Sequence, residues 1–122
     1  MSKRLLIILS ICLMTGCSLW VANYDTNEYI LVNRIRTIAQ TNKNCDENTV
    51  KNLYFTAKEL NNFSQYLPRN QQSADLNKQL LALVMELYDK EPPIGIVYCK
   101  AKLNIIEQSA EEIQKVIGNK PR

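Results

Sequence analysis

Apolar residues recur every three or four positions along most of the chain, which is the period of an amphipathic helix. The last such segment is the most regular, because its apolar residues alternate four and three apart: Cys99, Leu103, Ile106, Ala110, Ile113 and Ile117. No stretch alternates apolar and polar residues as a half-buried strand would. The pattern therefore predicts an all-helical fold.

The first two predicted helices have clear boundary signals. Asp25 and Glu28 form an Asp-x-x-Glu pattern, which predicts an N-cap with its capping box. Asp46 or Asn48 caps the second helix, and Pro68 stops it. The apolar positions that share a face in these two helices are Leu31, Ile35, Ile38 and Ala39, and then Val50, Leu53, Ala57, Leu60 and Leu67.

The third helix is expected to begin at Ser73 as its N-cap, and its apolar face carries Leu76, Leu80, Leu83, Val84 and Leu87. A proline-rich turn over residues 91–95 separates it from the fourth helix. One of the two prolines is expected at the first position of that helix, and Gly118 at its C′ position. Four helices with short connections predict a small up-down-up-down bundle.

The first 17 residues have a different character. Lys3 and Arg4 form a positively charged region, followed by an apolar run of about ten residues, too short to cross a bilayer. The run ends in Leu13-Met14-Thr15-Gly16-Cys17, which resembles the lipobox of bacterial lipoproteins, with Met14 where leucine is usual. In that family the cysteine is acylated and becomes the first residue of the mature chain. The alternative is an ordinary secretory signal followed by a chance cysteine.

The lipobox resemblance divides the chain into a signal peptide that is removed (1–16), a lipidated cysteine with its tether (17–24) and a four-helix domain (25–122). It implies a covalent lipid on Cys17, palmitate among its acyl chains, and no other cofactor. Two or more acyl chains anchor a protein stably. Since Ser18, and not aspartate, follows the cysteine, the resemblance implies sorting to the outer membrane, with the domain facing the periplasm.

Composition argues against several function classes. Of the 15 basic residues Lys3 and Arg4 leave with the signal, so 13 basic residues face 12 acidic ones, and a nucleic-acid surface is not expected. Histidine is absent, which removes Ser-His-Asp and Cys-His nucleophile arrangements and His-ligated metal sites. We therefore expect neither an enzyme nor a metal site.

The cysteines predict one disulfide. Cys12 leaves with the signal and Cys17 takes the lipid, so Cys45 and Cys99 remain, and thiols in an oxidising periplasm are expected to pair. Closing the loop of about 55 residues would stabilise the fold by about 4 kcal/mol in the chain-entropy model. Both cysteines stand near helix starts that an up-down-up-down bundle places at the same end. Two free thiols or a metal pair are the alternatives.

Three of the helices carry more apolar residues than one core stripe needs. We interpret this second stripe as a groove for a partner helix, lined by Phe55, Phe63, Tyr66, Leu81, Met85, Tyr88, Tyr98 and Ile105. The asparagines and lysine that could form its polar rim are Asn61, Asn62, Asn77, Lys78 and Asn104. The alternative is a wide core in which each helix contacts two neighbours.

Further landmarks accompany the lipobox: Asn44-Cys45-Asp46 opens a helix, and residues 87–93 lead to Tyr98-Cys99. Together these features resemble the PulS/OutS type of type II secretion pilotin, a family of small all-helical outer-membrane lipoproteins with one disulfide. The resemblance implies that the protein binds the C-terminal segment of a secretin subunit as a helix. The lipoprotein sorting machinery would then carry the complex to the outer membrane.

Two other functions stay open at this point. One is a phage or plasmid outer-membrane lipoprotein of the lysis (spanin) or exclusion type. The other is a periplasmic enzyme inhibitor, for which the turn over residues 91–95 is the one candidate loop.

Overall fold

The computed structural model describes residues 22–122, so the predicted signal peptide, Cys17 and most of the predicted tether lie outside the described residues. Within this range the chain forms four α-helices and no strand: α1 (Thr26–Thr41), α2 (Glu47–Tyr66), α3 (Gln71–Tyr88) and α4 (Ile96–Gly118). The predicted all-helical four-helix fold is confirmed. None of these helices is long and apolar enough to cross a bilayer.

The helices pack in cyclic order. α1 packs against α2 and α4, and α3 packs against the same two helices, whereas the backbones of the diagonal pairs do not approach each other. With connections of a few residues, this is the predicted up-down-up-down arrangement. The bundle therefore has two ends. The disulfide end holds the starts of α2 and α4, and the tether end holds the start of α1 and the C-terminus of the chain.

The core is built mostly from the predicted apolar faces of the four helices, and we call such a face the seam of its helix. All six seam positions of α4 are buried, and they pack with buried residues of the other three helices: Leu31, Val32, Ile35, Ala39, Val50, Leu53, Ala57, Leu60, Leu80, Val84 and Leu87. Four predicted core positions, Ile38, Leu67, Leu76 and Leu83, are half-buried. Leu67 is the C-cap of α2 and not part of the helix, and the other three lie at the edge of the core.

The helix starts confirm some predicted caps and correct others. Asp25 and Asp46 cap α1 and α2, accepting hydrogen bonds from the backbone N–H of Glu28 at 2.9 Å and of Thr49 at 2.8 Å. The reciprocal half of the capping box is absent among the described hydrogen bonds, because the Glu28 side chain is fully buried and bonds elsewhere. α3 starts at Gln71, so Ser73 is not its N-cap but a buried residue inside its first turn.

The ends of α4 also differ from expectation. Gly95 is its N-cap, so neither Pro92 nor Pro93 occupies the first helical position. Ile94, between the prolines and the helix, packs against the core. Gly118 is the last residue of α4 rather than a left-handed C′ residue, and Asn119 is the C-cap.

The predicted disulfide is present. Cys45 and Cys99 are bonded with an S–S distance of 2.03 Å and a Cα–Cα distance of 5.8 Å. At the opposite end, the backbone N–H of Tyr24 donates to the carbonyl of Pro121 at 2.8 Å, and the Arg122 guanidinium lies 4.5 Å from the centre of the Tyr24 ring. The C-terminal residues thus hold Tyr24, the last residue of the predicted tether.

Candidate partner-binding site

The eight residues of the predicted groove all retain some exposure. Five are exposed: Tyr66 (88%), Phe55 (59%), Ile105 (44%), Met85 (39%) and Tyr88 (38%). The other three, Phe63, Leu81 and Tyr98, are half-buried against the core. The second apolar stripe is therefore partly surface and partly the edge of the core.

These residues do not line one groove. Tyr88 stacks on Tyr54, which places that face of α3, including Leu81 seven residues earlier, towards α2. Phe63 follows Tyr54 by nine residues, half a turn round α2, so it lies on the opposite flank of that helix. Tyr66 lies at the tether end, at the last residue of α2.

Tyr98 and Ile105 belong to a second surface, between α3 and α4. They lie on the α4 face that carries Lys102, which forms an ion pair with Glu86 of α3. Further along this face is a shallow groove of about 350 Å³, lined by Leu76, Gln79, Leu80, Leu83, Gln108, Ser109, Glu112, Ile113 and Val116. Among the described residues, then, the predicted groove residues divide between the α2–α3 face, the α3–α4 face and, for Phe63, the opposite flank of α2.

A cleft of about 830 Å³ lies at the disulfide end, where α2 and α4 begin and α3 ends. We call it the disulfide-end cleft. It is lined by Lys43, Asn44, Cys45, Asp46, Glu47, Val50, Lys51, Leu87, Tyr88, Lys90, Pro92, Pro93, Ile94, Ile96 and Cys99. Of the predicted groove residues only Tyr88 is among them, because two connections distant in sequence build most of the walls.

Tyr88 joins this cleft to a group of rings that we call the aromatic strip, formed by the exposed Phe55 and Tyr88 and the half-buried Tyr54. The Tyr54 and Tyr88 rings stack with centroids 4.0 Å apart and planes 11° apart. The Phe55 ring meets Tyr54 edge-on at 5.4 Å. Met85, one turn before Tyr88 on α3, extends the same exposed face. Tyr88, which lines the cleft and stacks on Tyr54, is therefore the residue that the cleft and the strip share.

The charges at the rim of the cleft already have partners. The Lys51 ammonium donates a hydrogen bond to Glu47 at 2.7 Å, which lowers the pKa of Glu47 and raises the pKa of Lys51. Hydrogen bonds from Thr49 lower the pKa of the Asp46 carboxyl. Lys90 lies 4.3 Å from the centre of the Tyr98 ring. The cleft therefore offers a ligand both apolar side chains and exposed charges at its rim.

One predicted rim residue is placed wrongly by the sequence pattern. Asn77 is fully buried and donates to the Glu28 carboxylate at 3.2 Å. Asn62, Lys78 and Asn104 are exposed, as rim residues would be, and Asn61 is half-buried.

Within residues 22–122, no three side chains of His, Cys, Asp or Glu lie close enough together to hold a metal ion. Comparisons with protein-family models, with curated proteins and with solved structures find no match for this chain.

Proposed function

We propose that this protein is an outer-membrane lipoprotein of the pilotin type, which binds the C-terminal segment of a secretin and targets the secretin to the outer membrane for type II secretion. The observation that carries the proposal is the disulfide-end cleft with its aromatic strip, where Phe55, Tyr88 and Ile96 are left exposed by the bundle. Exposed apolar surfaces with polar edges are typical of protein interaction sites.

This surface suits an amphipathic guest helix. Such a guest would place its apolar residues, spaced three and four apart, into the cleft and along the strip. Burying about 500 Å² of apolar area is worth about 12 kcal/mol before costs. After the guest has been ordered and the two molecules have associated, micromolar to nanomolar affinity remains.

The two ends of the bundle allow anchoring and guest binding at the same time. The predicted tether joins α1 at Thr26, whereas the cleft lies where α1 ends and α2 begins. At 1.5 Å per residue, the 16 residues of α1 separate these points by about 24 Å. A lipid on Cys17 would thus be attached at the end of the bundle opposite the cleft.

Isothermal titration calorimetry combined with circular dichroism tests the proposal. The full chain, purified in mild detergent, is titrated with synthetic peptides covering about the last 20 residues of each secretin encoded in the same genome. One peptide is expected to release heat, to bind with at least micromolar affinity and to gain helicity, while its scrambled version does neither. A lipoprotein of the lysis or exclusion type would show no binding to any of these peptides, and that result would refute the proposal.

A further inference from the structure

The disulfide connects the start of α2 to the start of α4, two helices whose backbones do not pack against each other. Cys45 immediately precedes Asp46, the N-cap of α2, and Cys99 lies in the first turn of α4. α2 and α4 are a diagonal pair whose backbones do not approach each other. The bond therefore closes the bundle across its diagonal, and both cysteines line the disulfide-end cleft.

The connections that form the walls of this cleft have little backbone support. Among the described residues, neither 43–45 nor 91–94 makes a backbone–backbone hydrogen bond. Pro92 and Pro93 have no N–H to donate. Lys43, Asn44, Pro92 and Pro93 are exposed, and the wall residues packed against the core are Cys45 and Ile94. Segments of this kind have low local stability unless something outside them fixes their position.

We infer that the Cys45–Cys99 disulfide orders the cleft and thereby controls whether the protein binds its guest. With the bond formed, the first connection is fixed to the first turn of α4. Without it, the buried seam of α4 still packs against α1 and α3, so the bundle persists while its disulfide end loosens. A guest must then order the walls as it binds, which weakens its affinity. The effect on guest binding rests on the proposed function, whereas the effect on order does not.

Forming the bond is an exchange with a protein disulfide oxidant. The thiolate of one cysteine attacks the oxidant disulfide, giving a mixed disulfide and one released thiolate. The thiolate of the second cysteine then attacks the mixed disulfide, which closes Cys45–Cys99 and releases the oxidant as a dithiol. Two electrons and two protons pass from the two cysteines to the oxidant. Because cytosolic thiols stay reduced, the ordered cleft would arise only after export.

Amide hydrogen exchange of the full chain tests the ordering directly. Three proteins are compared: the wild type, the Cys45→Ala/Cys99→Ala double variant, and Ile117→Val, a control that weakens the core at the tether end. Removing the cross-link lowers global stability, so amides throughout the bundle are expected to exchange faster in the double variant. If the disulfide orders the cleft, the amides of Thr49, Val50 and residue 99 accelerate at least tenfold more than those of residues 106–117. Unchanged exchange at these three amides, or equal acceleration throughout α4, would overturn the inference.

Titration of the same three proteins with the secretin peptides tests the control of binding. The double variant is expected to bind at least tenfold more weakly, and Ile117→Val to bind as the wild type does. Equal affinity for the double variant and the wild type would refute the control of binding. If no peptide binds the wild type, the proposed function fails, and hydrogen exchange still decides whether the disulfide orders the cleft.

Discussion

Lys120 donates a hydrogen bond of 2.9 Å to the Glu28 carboxylate, and the two side chains are 8% and 0% exposed. Lys120 also donates to the side-chain oxygen of Asn70. The other carboxylate oxygen of Glu28 accepts hydrogen bonds from the side-chain amides of Asn70 at 2.6 Å and Asn77 at 3.2 Å. This network joins the start of α1, the α2–α3 connection, α3 and the C-terminal residues, and so fixes the tether end of the bundle.

Lys120→Met is expected to lower the free energy of unfolding by about 3–5 kcal/mol, because it leaves the Glu28 carboxylate buried without a counter-charge. Glu28→Gln/Lys120→Met should recover part of this loss, since neither charge then remains. Urea denaturation of the two single variants and the double variant, read as a double-mutant cycle, measures the coupling. Additive losses would show that the two side chains do not interact in the folded protein.

Ser73→Ala is expected to leave stability unchanged or to raise it by up to about 1 kcal/mol. The Ser73 hydroxyl is buried and has no hydrogen-bond partner in the structure. Its desolvation therefore destabilises the folded state, and no hydrogen bond offsets this cost. Were Ser73 the N-cap of α3, the same change would cost about 1 kcal/mol. Thermal unfolding of this variant beside Asp25→Ala, which removes a cap hydrogen bond, separates the two cases.

Local apolar periodicity was enough to predict the number of helices and their core faces. The disulfide was predicted because two thiols in an oxidising compartment are expected to pair. The seam from Cys99 to Ile117 is a one-dimensional pattern, and burial of all six of its positions follows from it. The positions of both cysteines at one end of the bundle then followed from alternating helix directions. No long-range information was needed for these features.

The polar network and the disulfide-end cleft could not be predicted in the same way. Glu28 lies one turn before Leu31 on the apolar face of α1, a position that indicates burial. Its partner Lys120 is 92 residues away in sequence, so the ion pair could not be predicted from local pattern. The cleft is formed by two connections with no apolar period of their own. The two connections come together only in the assembled bundle. The stacking of Tyr54 on Tyr88 also depends on the assembled bundle, and Tyr54 was not among the predicted groove residues.

Acid should weaken the cap of α2. Hydrogen bonds from Thr49 hold the pKa of the Asp46 carboxyl below its ordinary value of 3.8. A carboxyl with a lowered pKa in the folded state stabilises the protein above its unfolded pKa, and this contribution is lost as pH falls through the folded pKa. Between neutral pH and about pH 3, we expect the melting temperature of the wild type to fall more than that of Asp46→Asn, which keeps a capping oxygen without a charge. If the melting temperatures of the wild type and Asp46→Asn fell by the same amount between neutral pH and acid, the charge of Asp46 would not contribute to the cap.

Leu103→Ala is expected to lower the free energy of unfolding by about 2–4 kcal/mol, because Leu103 is fully buried in the seam of α4 and its truncation leaves a cavity. Ile106→Ala should behave similarly. Guanidinium denaturation measures both, and neither change should alter guest affinity while the protein remains folded.

Tyr88→Ala should leave the bundle folded but weaken the binding of the secretin peptide at least tenfold, in contrast to the core substitutions Leu103→Ala and Ile106→Ala. Tyr88 is 38% exposed and belongs to both the cleft and the aromatic strip. Tyr66→Ala is the matched control, because Tyr66 is 88% exposed at the other end of the bundle. Leu81 does not serve as a surface probe, since it is half-buried against the core and a charge there would destabilise the fold. Equal affinities of the Tyr88 and Tyr66 variants would place the guest elsewhere.

Cys17→Ser should abolish lipid attachment while leaving the helical domain folded, because the four described helices lie within residues 26–118 and the disulfide joins Cys45 to Cys99. The unlipidated chain would remain at the inner membrane or free in the periplasm, and secretin multimers would then collect in the inner membrane. Ser18→Asp is the matched control: it keeps the lipid, and the lipoprotein resemblance implies that it holds the protein at the inner membrane. Palmitate labelling and separation of the two membranes on a density gradient give both readouts. Secretin multimers in the outer membrane of both variants would contradict a targeting role, since anchoring at that membrane would then be dispensable.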